Sequence, residues 1–289
     1  ARIMPRPARL DARKRAFGDA RDRALGRDPL VQRLCRRLQL AVGSKRAVAI
    51  GAKAAVRQER FARMAQLRAK LSESWFGDSA LRRLLIRTFA QGQAETGDFY
   101  PFWPTNHFSV FPSRYDWSVQ WITVLYDEYM WSADKELMKK YLPQIELFWK
   151  RVFEFLNEDG LWLHNHVYGD LRTPCGCETM NQSSGVVTAT LIDKLGLSIF
   201  LARETGNEKL AAQWMPAHEL MKKAFRKYHI VPAAGDVPLH VANRYDVTNP
   251  AIERGCSQAG QIMAVLAGLL TPAEAFAALD YVFAAPDGD

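Results

Sequence analysis

Cysteine is scarce. The 289 residues hold four, Cys35, Cys175, Cys177 and Cys256, and none stands in a CxxC pair. Cys175-Gly176-Cys177 has neither the spacing of a redox pair nor a matching second half. His164 and His166 lie close in sequence, but structural zinc normally uses CxxC-type knuckles. Reduced cysteines without a special role are therefore expected, and no metal or other cofactor. Nothing approaches the roughly 18 apolar residues of a membrane span, and no apolar h-region follows the basic N-terminus. Neither membrane insertion nor a signal peptide is expected. Also missing are GxxxxGK[ST], a GxGxxG after a strand, HExxH and GxSxG. Scattered Ser, His, Asp and Cys residues define no nucleophile triad.

Aromatic residues are nearly absent from residues 1–58, which contain no Trp or Tyr and only Phe17. Charge is equally uneven. The net +8 conceals 20 Lys/Arg against five Asp/Glu in residues 1–70, and 19 basic against 26 acidic residues thereafter. Two readings of the leader stand side by side: a basic arm for nucleic acid or acidic lipid, or a stretch that adds little to the fold and is even non-native. Arginine alone makes salt-sensitive, sequence-blind phosphate contacts, and the aromatics and amides of a base-reading surface are scarce here. Nucleic acid is not the expected partner. The sequence divides into a basic Arg/Ala-rich leader, 1–58, and a domain, 59–289.

What is present from residue 59 onward is helical periodicity. Leu81, Leu84, Leu85 and Phe89 mark a helix over 80–93, and Trp121, Val124, Leu125 and Tyr129 mark one over 117–131. Leu137, Tyr141, Ile145, Phe148, Val152 and Phe155 share one face of a helix over 135–157. It is entered through Ser132 and Asp134, which can accept backbone N–H bonds, and closed by Asn157-Glu158-Asp159-Gly160. Helices over 186–204 and 208–228 flank the short break Thr205-Gly206-Asn207, which suits antiparallel neighbours. Two more are expected over 257–270 and 272–283, the second capped by Thr271. No segment reads as a strand series, so the class is all-α. Tight turns alternate with long aromatic and polar links at 94–115, 158–185 and 229–254. That alternation fits a ring of helical hairpins, and no fixed repeat period marks a solenoid.

The first long link carries Glu95, Asp98, Phe99, Tyr100, Phe102, Trp103, Asn106, His107 and Phe108 and runs into Tyr115-Asp116-Trp117. Flat rings beside carboxylates and amides suit a sugar, because rings stack on pyranose C–H faces and Asp or Asn bond hydroxyls. The same rings could equally cover a core. The second long link adds His164, His166, Tyr168, Asp170, Arg172, Glu178, Asn181 and Gln182. If the two links share a rim they enclose one acidic, aromatic pocket. Glycoside hydrolysis needs two carboxyl groups, one held protonated by burial and the other a base or nucleophile.

Several phrases carry a resemblance: Phe76-Gly77-Asp78-Ser79, Phe89-Ala90-Gln91-Gly92-Gln93, Tyr115-Asp116-Trp117-Ser118, Tyr141-Leu142-Pro143, Glu158-Asp159-Gly160-Leu161, Gln258-Ala259-Gly260-Gln261, Leu266-Ala267-Gly268-Leu269 and Ala278-Leu279-Asp280-Tyr281. Over about 59–289 the chain resembles the six-hairpin domain of bacterial α-L-rhamnosidases. The resemblance implies an (α/α)6 six-hairpin toroid, an inverting, metal-free reaction and a rhamnoside-like saccharide as partner. The family's general acid lies in a stretch of the form D-C-P-x-R-E-R-x-x-W-x-G-D, and Glu59-Arg60 matches its Glu-Arg pair. Glu59 is thus the candidate acid this match offers, although between Arg57 and Arg60 it reads more simply as a solvated charge. Ala54, Arg63 and Gln66 stand where the family places Asp, Trp and Asp. Asp98, Asp116 and Asp170 would bind hydroxyls, and Trp103 and Trp117 would stack on the sugar. The family's base comes from a loop beyond the helix holding Asp280. Eight or nine helices are expected against about twelve in a complete toroid, so the ring is expected to be incomplete. A non-catalytic or degenerate carbohydrate-binding toroid is the alternative.

Overall fold

The computed structural model describes residues 79–99, 115–164, 180–251 and 255–284. By internal contacts the chain divides into a larger unit, Gln66–Tyr129 with Asp134–Asp289, and a smaller one, Ala1–Ala65 with Met130–Ala133. The interactions below lie within the larger unit. The leader 1–58 lies outside the described residues.

Eight helices occur among the described residues: α1 (Ala80–Gln91), α2 (Tyr115–Ser118), α3 (Gln120–Ser132), α4 (Lys135–Phe153), α5 (Gly185–Glu204), α6 (Glu208–Tyr228), α7 (Gln258–Leu266) and α8 (Pro272–Ala284). Their starts are written in side chains. Asp134 Oδ1 accepts from the Leu137 amide at 3.0 Å, Asn207 Oδ1 from Leu210 at 3.2 Å and Ser257 Oγ from Gly260 at 3.1 Å. Each satisfies a donor that the first helical turn leaves open. Thr271 and Glu274 exchange bonds with each other's amides, 2.7 and 3.3 Å, in a capping box. α7 ends at Gly268 (φ 64), with Leu269 N–H bonding Ala264 O at 3.0 Å and Gly268 N–H bonding Val265 O at 3.1 Å. That is a Schellman stop.

Three helices differ from their expected form, one of them α7, expected to reach 270 but ending at Leu266. The helix expected over 117–131 is broken at Val119 into α2 and α3. The one expected to reach 157 ends at Phe153, where Glu154, Phe155 and Leu156 each bond back three residues. The tightened chain then forms a bridge between Leu156 and Trp162.

α5 is the core helix. Contrary to the expectation that no stretch would qualify, it is by length and composition apolar enough to cross a membrane, yet it is mostly buried within the protein. α6 returns antiparallel beside it after Gly206 (φ 81). α3 runs parallel to α5: Tyr126 and Tyr129 meet Phe200, centroids 5.5 and 6.0 Å away, and the Tyr129 hydroxyl bonds Glu204 at the end of α5. α7 starts beside the start of α5, with Gly260 near Val186 and Asn243. Tight turns join α3 to α4, α5 to α6 and α7 to α8, and long links join α1 to α2, α4 to α5 and α6 to α7. This is a series of helical hairpins.

Among the described residues, strands, unexpected from the sequence, occur as two short antiparallel ribbons. β1 (Gln182–Ser184) pairs with β4 (Arg244–Asp246), and β2 (Ile230–Val231) with β3 (His240–Val241). All four lie in the long links, so they join the helix ends without changing the all-α class.

Candidate active site

The long links meet at their described ends. The first begins with a turn at Gly97 (φ 96), pressed so closely on the Leu147 carbonyl of α4 that a β-carbon would overlap it. Asp98 follows. Its Oδ1 accepts from the Tyr115 hydroxyl at 2.6 Å, and its Oδ2 accepts from Arg151 Nε at 3.1 Å and Thr96 Oγ1 at 2.9 Å. Phe99 points inward onto Trp121 and Phe148, centroids 4.8 and 5.6 Å apart. At the far end of the link, Ser118 Oγ donates to Phe99 O at 2.9 Å. Of the aromatics expected to face a ligand, Phe99 and Tyr115 belong to the core.

Tyr115 is also where the second link touches the first. Its ring stands edge-on to His164 at 5.0 Å and to Trp162 at 5.2 Å. His164 is buried, stacks on Trp162 at 5.3 Å and meets Phe155 at 4.3 Å. Its amide donates to Gln182 O at 3.1 Å. Gln182 pairs with Asp246 across the β1–β4 ribbon and donates from Nε2 to Asp246 Oδ2 at 2.9 Å. A continuous line of contacts, Tyr115 to His164 to Gln182 to Asp246, therefore ties all three long links together. Thr248 and Gln182, with the amides of Thr248 and Asn249, hold the Asp246 carboxyl at a pKa of about 2. Burial, then the bond to Asp98, pushes the Tyr115 hydroxyl far up, so it stays a donor.

Behind this line lies a buried polar cluster at the starts of α5 and α7. Ser183 Oγ lies 3.0 Å from His229 Nε2, and His229 Nδ1 lies 3.3 Å from Ala242 O. A carbonyl only accepts, so Nδ1 carries the proton and Nε2 accepts from Ser183. The pair resembles a nucleophile and base, but both residues are fully buried, which makes it a packing element. Ser257 Oγ donates to Asn243 Oδ1 at 2.7 Å. Gln261 clamps the backbone of Val241, accepting from its N–H at 2.7 Å and donating to its carbonyl at 2.8 Å. Sequence reasoning missed this cluster, except that Gln258-Ala259-Gly260-Gln261 belongs to the family-like phrases.

Asp116 and Trp117 are half-buried on α2, immediately after Tyr115. The structure thus joins the two ends of the first link, Asp98 at its start to Tyr115 at its close, with Asp116 and Trp117 next along the chain. Glu59, Trp103 and Asp170 lie outside the described residues, as do His166, Cys175 and Cys177. Among the described residues no three His, Cys, Asp or Glu side chains gather as metal ligands would.

Paired helices with tight turns at one side and long, mutually bonded links at the other define an all-α domain of the helical-hairpin toroid class. The model for the bacterial alpha-L-rhamnosidase 6 hairpin glycosidase domain matches residues 29–285, and the chain belongs to that family. No curated protein sequence matches it. Among solved structures, a rhamnosidase from Klebsiella oxytoca with rhamnose bound is similar at 20% identity and a TM-score of 0.59, over 73% of this chain and 39% of that one. The GH78 family rhamnosidase of Bacillus sp. GL1 is similar at 14% identity and a TM-score of 0.57, over 69% of this chain and 20% of that one. The chain thus spans well under half the length of either, and identities this low carry the fold alone.

Proposed function

We propose that this domain binds a terminal α-L-rhamnoside at the rim where the long links meet, and serves an inverting glycosidase there. The observation that carries the reading is the contact line from Tyr115 through His164 and Gln182 to Asp246, which joins the described ends of the three long links. Family membership supports it, as does the rhamnose in the Klebsiella oxytoca structure. In this reading Trp117 and Trp103 stack on the sugar, while Asp116 and Asp170 bond its hydroxyls. Glu59, which matches the family's Glu-Arg pair together with Arg60, is the candidate acid by that match alone. A second carboxylate activates water from the opposite face, which in inverting enzymes requires carboxyls roughly 6.5–9.5 Å apart. Asp98, already committed to three protein donors, supports the surface from behind.

A chromogenic α-L-rhamnoside, offered to the full-length protein that carries this chain, tests the assignment. Release of the chromophore with β-L-rhamnose as the first product is expected, and no turnover at any pH from 4 to 8 would remove it. A second reading, sugar binding without hydrolysis, is favoured by Ala54, Arg63 and Gln66 at positions where the family carries Asp, Trp and Asp. In that case L-rhamnose binds and no rhamnoside is cleaved.

A further inference from the structure

Asp98 and Tyr115 stand at the two ends of the first long link, and four observations concern how they are joined. The Tyr115 hydroxyl donates to Asp98 Oδ1 at 2.6 Å. A second tie, Ser118 Oγ to Phe99 O at 2.9 Å, joins the neighbouring residues. Arg151 Nε, on the long helix α4, holds the other carboxylate oxygen at 3.1 Å, and Arg151 lies against the Phe155 ring at 4.7 Å. Finally, the Tyr115 ring is enclosed by Phe148, Phe155, Trp162 and His164, with centroids 5.0–6.2 Å away. An apolar ring would make the same contacts, so packing alone gives no reason for the hydroxyl. What the hydroxyl adds is a fixed rotation and height for the start of α2, measured against α4. Asp116 and Trp117 are the next two residues, and helical geometry carries that fixation directly to their Cα–Cβ bonds.

We infer that Tyr115, Asp98 and Arg151 form a positioning strap that sets the orientation of Asp116 and Trp117 for the sugar. This rests on the saccharide reading above. None of the three touches the ligand. They act through α2, as supporting residues do when a binding group must be held to within about half an ångström. Arg151 matters twice, because it supplies charge opposite Asp98 and anchors the strap to α4, a helix other than the one that carries Asp116 and Trp117.

The test compares the unaltered chain with Tyr115→Phe, Arg151→Met and Arg151→Lys, at a temperature where circular dichroism shows all of them folded. Two quantities are read: hydrogen–deuterium exchange of the peptide spanning Tyr115–Val119, and the affinity for L-rhamnose by calorimetry. Tyr115→Phe and Arg151→Met are expected to exchange there about fivefold faster while α6 peptides stay unchanged, and to bind L-rhamnose about five- to tenfold more weakly. Arg151→Lys keeps the charge and recovers part of both. Unchanged exchange at Tyr115–Val119 in folded Tyr115→Phe overturns the strap. Faster exchange with unchanged affinity overturns its positioning role. If the unaltered chain binds no L-rhamnose, the saccharide reading and the positioning role fall together, while the exchange arm still decides whether the strap exists. Should Tyr115→Phe not fold, the two Arg151 variants decide the same questions.

Discussion

Gly185 opens α5 directly against the carbonyl of Ala242, so close that a β-carbon on Gly185 would overlap the oxygen and come within 3.2 Å of His229 Nδ1. The Gly185 amide meanwhile donates to Asn243 O at 2.7 Å, which pins the helix start to the third link. Neither obstacle is a flexible tip that could swing aside. Gly185→Ala is therefore expected to destabilise by about 2–3 kcal/mol, in the range of overpacked sites. Gly196, eleven residues along the same helix, is the opposite case. A β-carbon there meets His218 Nε2 at 3.5 Å, ordinary contact, and the helix gains from the better former. Gly196→Ala should stabilise by about 0.5–1 kcal/mol. Urea unfolding of both variants checks the pair, and equal signs would contradict the account.

Asp246 gives a pH dependence with a definite sign. Its carboxyl is held at about 2 rather than 3.8, by Thr248 first and Gln182 next. A depressed carboxyl contributes stability that is fully present above the unfolded value and disappears as pH falls from about 4 to 2. Asp246→Asn should lower stability at pH 7 by about 2 kcal/mol, and the difference from the unaltered chain should shrink towards zero near pH 2. A gap that stays constant between pH 7 and pH 2.5 would show that the carboxylate charge is not what the ribbon uses.

Buried donors supply a third expectation. Trp149 Nε1 donates to Ser198 Oγ at 2.8 Å, and Ser198 Oγ in turn donates to Lys194 O at 2.9 Å. Ser198→Ala leaves the indole N–H without its acceptor in a dry environment, a loss of about 1–3 kcal/mol. Pairing it with Trp149→Phe removes the orphaned donor, so the double variant should be less destabilised than the sum of the two singles. Strict additivity would mean that the bond carries no coupling.

The helices were legible because their core faces repeat at helical spacing. Met138, Tyr141, Leu142, Ile145, Phe148, Trp149 and Val152 all turn inward from α4, and the capping roles of Asp134 and Thr271 could be read from their positions. Breaks were less legible. Nothing in Ser118-Val119-Gln120 announces that α2 and α3 part there, where Ile122 N–H bonds Val119 O three residues back and Ser118 Oγ reaches Phe99 O, nineteen residues back. The ribbons were invisible for a similar reason. Gln182-Ser183-Ser184 has no apolar alternation and no β-branched residue, and its partner lies 64 residues away at the Gln182–Asp246 pair. Of the site, the acid-bearing links could be recognised, but not which residues point inward. Asp98 offers the same carboxylate in the sequence whether it faces a sugar or Arg151, and only the fold places Arg151 beside it.

The functional reading turns most directly on Trp117. It sits half-buried on α2, two residues after Tyr115, and takes no part in the bonds joining Tyr115, Asp98 and Arg151, so its removal should leave the strap intact. If its face carries a pyranose, Trp117→Ala exposes that sugar face to water and should weaken L-rhamnose binding about tenfold, equivalent to roughly 1.4 kcal/mol. Trp117→Phe keeps a smaller ring and should fall between the two. Asp116→Asn keeps one acceptor but loses the charge, and bonds to charged groups are worth about 1.5–3 kcal/mol, so its loss should match or exceed that of Trp117→Ala. Calorimetry on the three variants gives the order, with thermal unfolding run alongside to confirm that each is folded. Folded Trp117→Ala and Asp116→Asn chains that bind L-rhamnose as tightly as the unaltered one would move the sugar away from α2, and with it the site proposed for the rim.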